Sequence, residues 1–357
     1  MTTSSQKYPN ISARQLHDFA TSLLHKGGFA RDHAEETAAL LVWANTRGVH
    51  THGVMRIPRY LEMVREGSVR ADARVEVVRR NGAVCLLDAN RAPGAVAMNR
   101  AVQTAAELSD QFGIGWCSIR RTSHTGAVGY FALQLTQMGK VGLIMTASRP
   151  LMGYHGAKGE VLSTNPLAIG VPLPGGQPPM LLDMSTAAVP LGRIMAAREA
   201  NQPIPRGWGL DAEGAETTDP HQVTTLVPMA GPKGTGLSLM IEVLCSLLAG
   251  NPNIAPALTG GKPGGFNGAV LAISPEAFGE RDTFLTQVQA LANAIHDLPP
   301  APGFDRVLLP GERGFMAQQA SEQAGVTVPA ATVARLLKLA GELNVDPPAS
   351  WATPSGC

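Results

Sequence analysis

The chain has 357 residues, 44% of them hydrophobic, and a formal net charge of +1 at pH 7. That length exceeds one ordinary core and allows two or three subdomains, and the composition is that of a globular protein rather than a disordered one. A balance this near neutrality gives no broad basic face for nucleic acid or an anionic membrane, so the expected partner is a small molecule or a second copy of the chain.

Thirty-nine glycines and 27 prolines predict many tight turns, as in a mixed α/β protein with elaborate loops. Cys85, Cys117, Cys245 and Cys357 are scattered with no CxxC spacing, so neither a zinc ribbon nor a disulfide framework is expected. The opening "MTTSSQKYPNIS" is polar and lacks the apolar core of a signal peptide. The longest apolar helix candidate, "LSLMIEVLCSLLAG" (237–250), carries Glu242 and is too short to span a bilayer. The expectation is a soluble cytoplasmic protein.

In chain order, "SARQLHDFATSLLHKGG" opens with Ser12 as N-cap, repeats apolar residues at helical spacing and stops at Gly27-Gly28. "ARDHAEETAALLVWANTRG" repeats the pattern to Gly48, and "IPRYLEMVREG" (57–67) predicts a third helix with Pro58 in its first turn. "RVEVVRR", "AVCLLDA", "IGWCSIRR" and "VGLIMTAS" read as strands, with a helix over 94–113 between the second and third. Residues 161–186 predict a hairpin with a Gly-Gly turn. "TGLSLMIEVLCSLLAG" predicts a buried helix, and two late helices follow in "RDTFLTQVQALANAIHDL" and "VPAATVARLLKLAGEL". Boundaries are expected near 75 and 310: an N-terminal helical region (1–75) carrying a proton-donor motif, a sheet domain (76–310), and a C-terminal helical segment (311–357) packing on the first.

Common fingerprints are missing. "GIGWCS" starts like G-x-G-x-x-G but has Ser118 at the third glycine, "GGKPGG" lacks the upstream glycine of a P-loop, and no H-E-x-x-H occurs. The chemistry gathers instead in "RGVHTHGVMRIPRY" (47–60), where His50 and His52 sit among Arg47, Arg56 and Arg59 with no acidic residue. A helical turn there puts His52 and Arg56 on one face. An arginine grips a carboxylate with two parallel bonds, and an imidazolium gives up a proton near neutral pH. That pairing suits reduction of a 2-oxo or 2-imino acid, with Thr51 orienting the ring. The same pattern fits a solvated basic helix start.

Four later stretches add candidates. In "RRTSHTGAVGYFA" (120–132) a strand gives way to a turn with His124 and then a helix, whose free N–H groups receive a phosphate or carboxylate or simply cap the turn. "GEVLSTNPLAIGVP" (159–172) and "MLLDMSTAAVPLGRI" (180–194) end strands in small polar groups. Asp183 there accepts a ribose hydroxyl, orients a histidine, or caps the helix after it. "MAGPKGTGLSLMIEVL" (229–244) puts Lys233 in a glycine-rich turn at a helix start, which suits phosphate binding or close packing.

Together with "GWGLDAEGAETTDP" and "LLPGERG", these motifs, in this order, resemble the malate/L-lactate dehydrogenase family. That family is unrelated to the Rossmann dehydrogenases and includes ureidoglycolate, sulfolactate and diketogulonate dehydrogenases and piperideine/pyrroline-2-carboxylate reductases. The resemblance implies an α/β fold of the α+β kind, non-Rossmann, with a predominantly antiparallel central sheet flanked by helices and an N-terminal helical region. It implies a homodimer, a small carboxylate substrate, and NADPH or NADH as hydride source. It makes Thr51 and His52 the proton-donating pair, with Asp183 beside them in the catalytic set. Arg56, Ser163 and Thr164 become substrate contacts. His124, Thr125, Gly126, Asp183, Met184, Ser185, Lys233, Gly311, Glu312 and Arg313 become cofactor contacts, and no metal is implied. Departures from the family pattern are Thr51 for its usual serine, Arg193 where some reductases carry aspartate, and Gly231-Pro232 for glycine-tyrosine. The preferred reading is 2-oxo acid reduction, the alternative cyclic imino acid reduction. A rival from another class is a metal-dependent lyase or hydrolase using His50, His52, His124 or His155.

Overall fold

The computed structural model describes residues 8–352; Cys357 lies outside them. The first two helices are α1 (Ala13–Lys26) and α2 (Arg31–Thr46). Ser12 caps α1 through a reciprocal box in which its hydroxyl accepts from the Gln15 N–H at 3.2 Å and the Gln15 side chain accepts from the Ser12 N–H. The third helix, α3 (Ile57–Arg65), starts with Pro58 in its first turn as expected. Between α2 and α3 the chain makes two short 3-10 turns, His50–His52 and Val54–Arg56. Gly53 joins them in an extended conformation, so His52 and Arg56 are not on one regular helical face as the spacing had predicted. The cause is Asn45, whose Oδ1 accepts the Val54 N–H at 2.8 Å and occupies the space a Cβ on residue 53 would take.

The sheet begins with β1 (Glu76–Asn81) and β2 (Val84–Asp88), continues through α4 (Gly94–Phe112) to β3 (Ile114–Thr122), then α5 (Gly129–Gln137) and β4 (Val141–Ala147). β5 (Leu167–Val171) and β6 (Met180–Met184) form the expected hairpin, followed by α6 (Leu191–Ala200) and the two-residue strands β7 (Gly209–Leu210) and β8 (Thr225–Leu226). After α7 (Pro232–Glu242) and α8 (Ile254–Leu258) comes β9 (Phe266–Ile273), then α9 (Arg281–His296), α10 (Glu312–Ala324) and α11 (Ala330–Leu343). The strand order is β1-β2-β3-β9-β4-β5-β6, antiparallel throughout except for β2 beside β3. β9 was not legible in the sequence. It is the central strand, mostly buried and rich in Gly and Ala, so the polar–apolar alternation that marks a half-exposed strand is absent.

One core lies between the sheet and α4 and α5; a second joins α1, α2 and α3 to α11. Each fully buried Leu in them contributes about 1.5–3 kcal/mol of hydrophobic burial. The two ends of the described chain meet in the second core, where Ile11 bridges Val326 and the Trp351 indole donates to the Pro9 carbonyl at 3.1 Å. Edge strand β1 is exposed along its length and kinked by a register shift between Val77 and Arg79, which spoils it as a template for further pairing. At the other edge, the Leu181 N–H donates to Pro310, so the loop before α10 covers part of β6.

The predicted buried helix over 235–250 differs in two ways. Regular helix ends at Glu242 and a wider π turn follows over Val243–Leu247, and Met240 and Leu248 are exposed. The reason is Glu242, fully buried, whose carboxylate accepts from Ser246 Oγ and from the Asn253 and Ile254 N–H groups and so draws the chain inward at that turn. Among the described residues no helix is long and apolar enough to cross a membrane.

Gly94 opens α4 directly against the backbone of His124 and Thr125. Gly94→Ala is expected to cost about 1–3 kcal/mol by overpacking and to displace the His124 turn. Gly236→Ala, in open space on α7, is expected to be neutral or to stabilise by up to about 1 kcal/mol. Urea unfolding of the two variants checks the contrast.

Candidate active site

The open ends of β4, β5 and β6 meet in one place. Ser148 Oγ, just past β4, lies 2.6 Å from Ser163 Oγ, before β5. The Thr164 carbonyl accepts from the Thr186 N–H, and Ser163 and Asn165 are tied to Ser238 of α7. Asp183, at the end of β6, does not cap the helix after it. α6 has no side-chain cap, and Asp183 Oδ2 instead accepts the Gly129 N–H at 3.0 Å, at the start of α5. A Cβ on residue 129 would sit 2.7 Å from that oxygen. Asp183 is exposed as a residue, with Gly129 packed against its carboxyl. Loss of water around that carboxyl pushes its pKa up to about 6, against the downward pull of the Gly129 bond and the Arg47 charge.

Arg47 was not singled out by the sequence beyond its place in the motif. Its guanidinium is buried, 5.0 Å over the Trp43 ring and 4.0 Å over Phe315, and donates to the Gly311 carbonyl at 3.1 Å. Burial brings its pKa down to about 10. Arg47 therefore fastens the turn before α10 to α2. Gly311 takes the left-handed conformation, φ 92°, against the Leu181 backbone.

On the other wall stand His52, Arg56 and His124. The His52 and His124 rings stack with centroids 5.7 Å apart, 19° from parallel. His52 Nδ1 is 3.1 Å from Thr51 Oγ1, and Arg56 Nε donates to the Thr51 carbonyl. That single bond orients the guanidinium and leaves its two terminal amino groups without a protein acceptor among the described residues. Burial first, then the Arg56 charge, lowers the His52 pKa to about 4; burial, Arg56 and His52 together put His124 well below the usual histidine range. Both rings are neutral at pH 7. His124 Nδ1 lies 2.8 Å from the Tyr60 hydroxyl and accepts the Gly126 N–H at 3.3 Å, and Phe266 packs edge-on against its ring. Thr125 Oγ1 donates to Thr146 of β4, which joins this wall to the strand ends. The start of α6 joins too, because a Cβ on Gly192 would lie 2.6 Å from the Thr51 methyl.

The remaining expected residues are placed as follows. Met184 pairs with Leu167 across the hairpin, and Ser185 Oγ donates weakly to the Ala187 carbonyl at 3.5 Å. Lys233 and Arg313 are exposed at the starts of α7 and α10, with no recorded side-chain partner among the described residues. The Glu312 carboxylate is already occupied, accepting from the Leu309 N–H and pairing with His296 at 2.8 Å. His50 is turned to a structural task, its Nδ1 facing the Asn45 amide at 3.1 Å, and His155 lies by the start of α7. Among the described residues no three His, Cys, Asp or Glu side chains converge as a metal-ligand set. Ser148 and Gly129 are residues that sequence reasoning missed, while Arg47 and Tyr60 lie within the stretch 47–60 but were given no role of their own. Each acts through a partner distant in sequence, which no local pattern reveals.

Helix starts at α5, α7 and α10, the exposed Lys233 and Arg313, and the Asp183 carboxylate are groups of the kind that receive phosphates and hydroxyls. The Thr186 hydroxyl and Asn165 Oδ1, buried beside the strand ends, have no protein partner. The family model for malate/L-lactate dehydrogenase matches residues 11–337. The chain is 32% identical over 324 residues to ureidoglycolate dehydrogenase (NAD(+)) of Escherichia coli O157:H7, covering 89% of this chain and 92% of the relative. It is 34% identical over 314 residues to (2R)-3-sulfolactate dehydrogenase (NADP(+)) of Chromohalobacter salexigens, covering 85% and 92%. The solved structure of malate dehydrogenase from Pyrococcus horikoshii OT3 superposes with a TM-score of 0.86 at 28% identity, over 98% of this chain and 99% of that one. On fold, motif order and similarity along nearly its whole length, the chain belongs to the malate/L-lactate dehydrogenase family.

Proposed function

We propose that this protein is an NAD(P)-dependent oxidoreductase interconverting a small 2-oxo acid and its 2-hydroxy acid. One observation carries the reading: a charged, oriented Arg56 beside two neutral imidazoles, with no carboxylate paired to it among the described residues. An anionic substrate completes that arrangement. Arg56 offers its two amino groups to the C1 carboxylate and fixes the C2 oxygen near His52. Ser163 and Thr164 line the same side. In the oxidation direction neutral His52 takes the hydroxyl proton; in reduction it returns that proton to the developing alkoxide. The bound carboxylate neutralises Arg56, which removes part of the repulsion on His52, so substrate binding raises its proton affinity.

When bound, the nicotinamide supplies or accepts the hydride at C2. Asp183 would take a cofactor hydroxyl, with Met184 and Ser185 beside it. Lys233, Arg313 and the backbone of Gly311 and Glu312 would hold its phosphates, and His124, Thr125 and Gly126 would face the nicotinamide side. The exposed apolar residues Met240, Leu247 and Leu248, within one stretch of α7 and the π turn after it, support a homodimer that covers them.

An assay of NADH and NADPH oxidation against 2-oxo acids and the cyclic imines pyrroline- and piperideine-2-carboxylate tests the reading. Turnover of an oxo acid, unaffected by EDTA, is the expected result. Turnover of cyclic imines alone would transfer the site to imine reduction, and loss of activity with chelator would revive a metal mechanism. His52→Ala is expected to lower kcat by about 10²–10⁴-fold with cofactor affinity nearly intact. Arg56→Ala should raise the substrate KM by about 10- to 100-fold. As pH falls through about 6, Asp183 gains a proton and loses its acceptor role; His52 follows only near 4. The kcat/KM profile for oxidation should therefore fall first near 6, and Asp183→Asn should remove that limb while leaving the lower one.

A further inference from the structure

Tyr60, the last residue of the stretch 47–60, reaches His124 from α3. Its hydroxyl lies 2.8 Å from His124 Nδ1, and its ring is tilted against the imidazole at 5.9 Å between centroids. The second contact at that nitrogen is the Gly126 backbone N–H, at 3.3 Å. A backbone N–H only donates, so Nδ1 presents its lone pair and the ring proton must sit on Nε2. The Tyr60 hydroxyl then donates as well. Being buried, it stays protonated, with its pKa raised to about 12. Around the ring, Phe266 packs edge-on and His52 stacks on the face. Nε2 has no protein partner among the described residues, and it is not among the buried polar atoms left without one, so it is not sealed off from solvent.

We propose that Tyr60 is a positioning residue that holds His124 as the Nε2–H tautomer, so that this ring gives the substrate a fixed hydrogen-bond donor and cannot act as the base. The two stacked histidines then have separate tasks. His52 carries the exchangeable proton, while His124 Nε2–H points at the C2 oxygen and steadies charge that gathers there in the transition state. A neutral imidazole suits this because it donates without adding a third positive charge beside Arg56. The inference rests on the functional reading above only for what the donor is aimed at. The tautomer itself is a property of the protein without substrate.

The test uses the whole protein labelled with ¹⁵N-histidine. The ring nitrogens of His124, assigned by loss of signal in His124→Gln, report directly which nitrogen carries the proton. The wild type is expected to show a protonated Nε2 and an unprotonated Nδ1. A protonated Nδ1 overturns the proposal, whether or not any substrate has been found. Tyr60→Phe keeps the ring and deletes the hydroxyl, leaving only the longer Gly126 bond. It is expected to mix the tautomers and to lower kcat roughly three- to tenfold, with substrate KM and cofactor affinity within about twofold. An unchanged tautomer and unchanged kcat in a folded Tyr60→Phe protein would also overturn it. If that variant does not fold, the wild-type spectrum alone decides.

Discussion

An uncompensated charge governs this site. Among the described residues Arg56 bonds to the Thr51 carbonyl, and its charge is felt by the His52 and His124 imidazoles. A cation held in a partly buried cleft without a counter-ion is costly unless neighbours give up their own charge. Both histidines do so, and each is neutral for the same two reasons, lost water and the nearby guanidinium. The pocket is thus complementary to an anion before any anion arrives. On the proposed reading, a carboxylate on Arg56 would remove the smaller of the two causes that lower the His52 pKa, burial being the larger.

The fold answers a geometric problem set by that constraint. His52 and Arg56 come from the α2–α3 connection, His124 from the end of β3, Ser163 from before β5 and Asp183 from the end of β6. These segments are brought together by polar contacts between elements far apart in the chain. Asp183 caps α5 from across the sheet, and Arg47 ties α2 to the turn before α10. The largely antiparallel sheet places the ends of β4 and β6 and the start of β5 at the same edge. The one parallel pair among the named strands, β2 beside β3, is connected through α4 by a turn that lacks the Rossmann glycine fingerprint.

Several features were readable because they are local. The capping box at Ser12, the helical periodicity through α1, α2 and α3, and the hairpin of β5 and β6 depend on neighbours a few residues apart. The chemistry-bearing stretch 47–60 stood out for the same reason, as a dense run of His and Arg without acid. The central strand β9 was missed because burial on both faces erases alternation, and the helical face proposed for His52 and Arg56 failed because Asn45 and Gly53 break the turn.

The sequence alone determined the fold class, the family resemblance and the stretches in which histidine, arginine and small polar residues gather, since composition, periodicity and motif order are properties of the chain read in one dimension. Only the tertiary structure decided their states. Whether a histidine is charged depends on how much water and which charges surround it, and which nitrogen holds its proton depends on donors from other segments. Tyr60 and Gly126 on His124, Gly129 and Arg47 around Asp183, and Ser148 against Ser163 are contacts made by folding. No spacing rule reaches them, because the distance that matters runs through space and not along the chain.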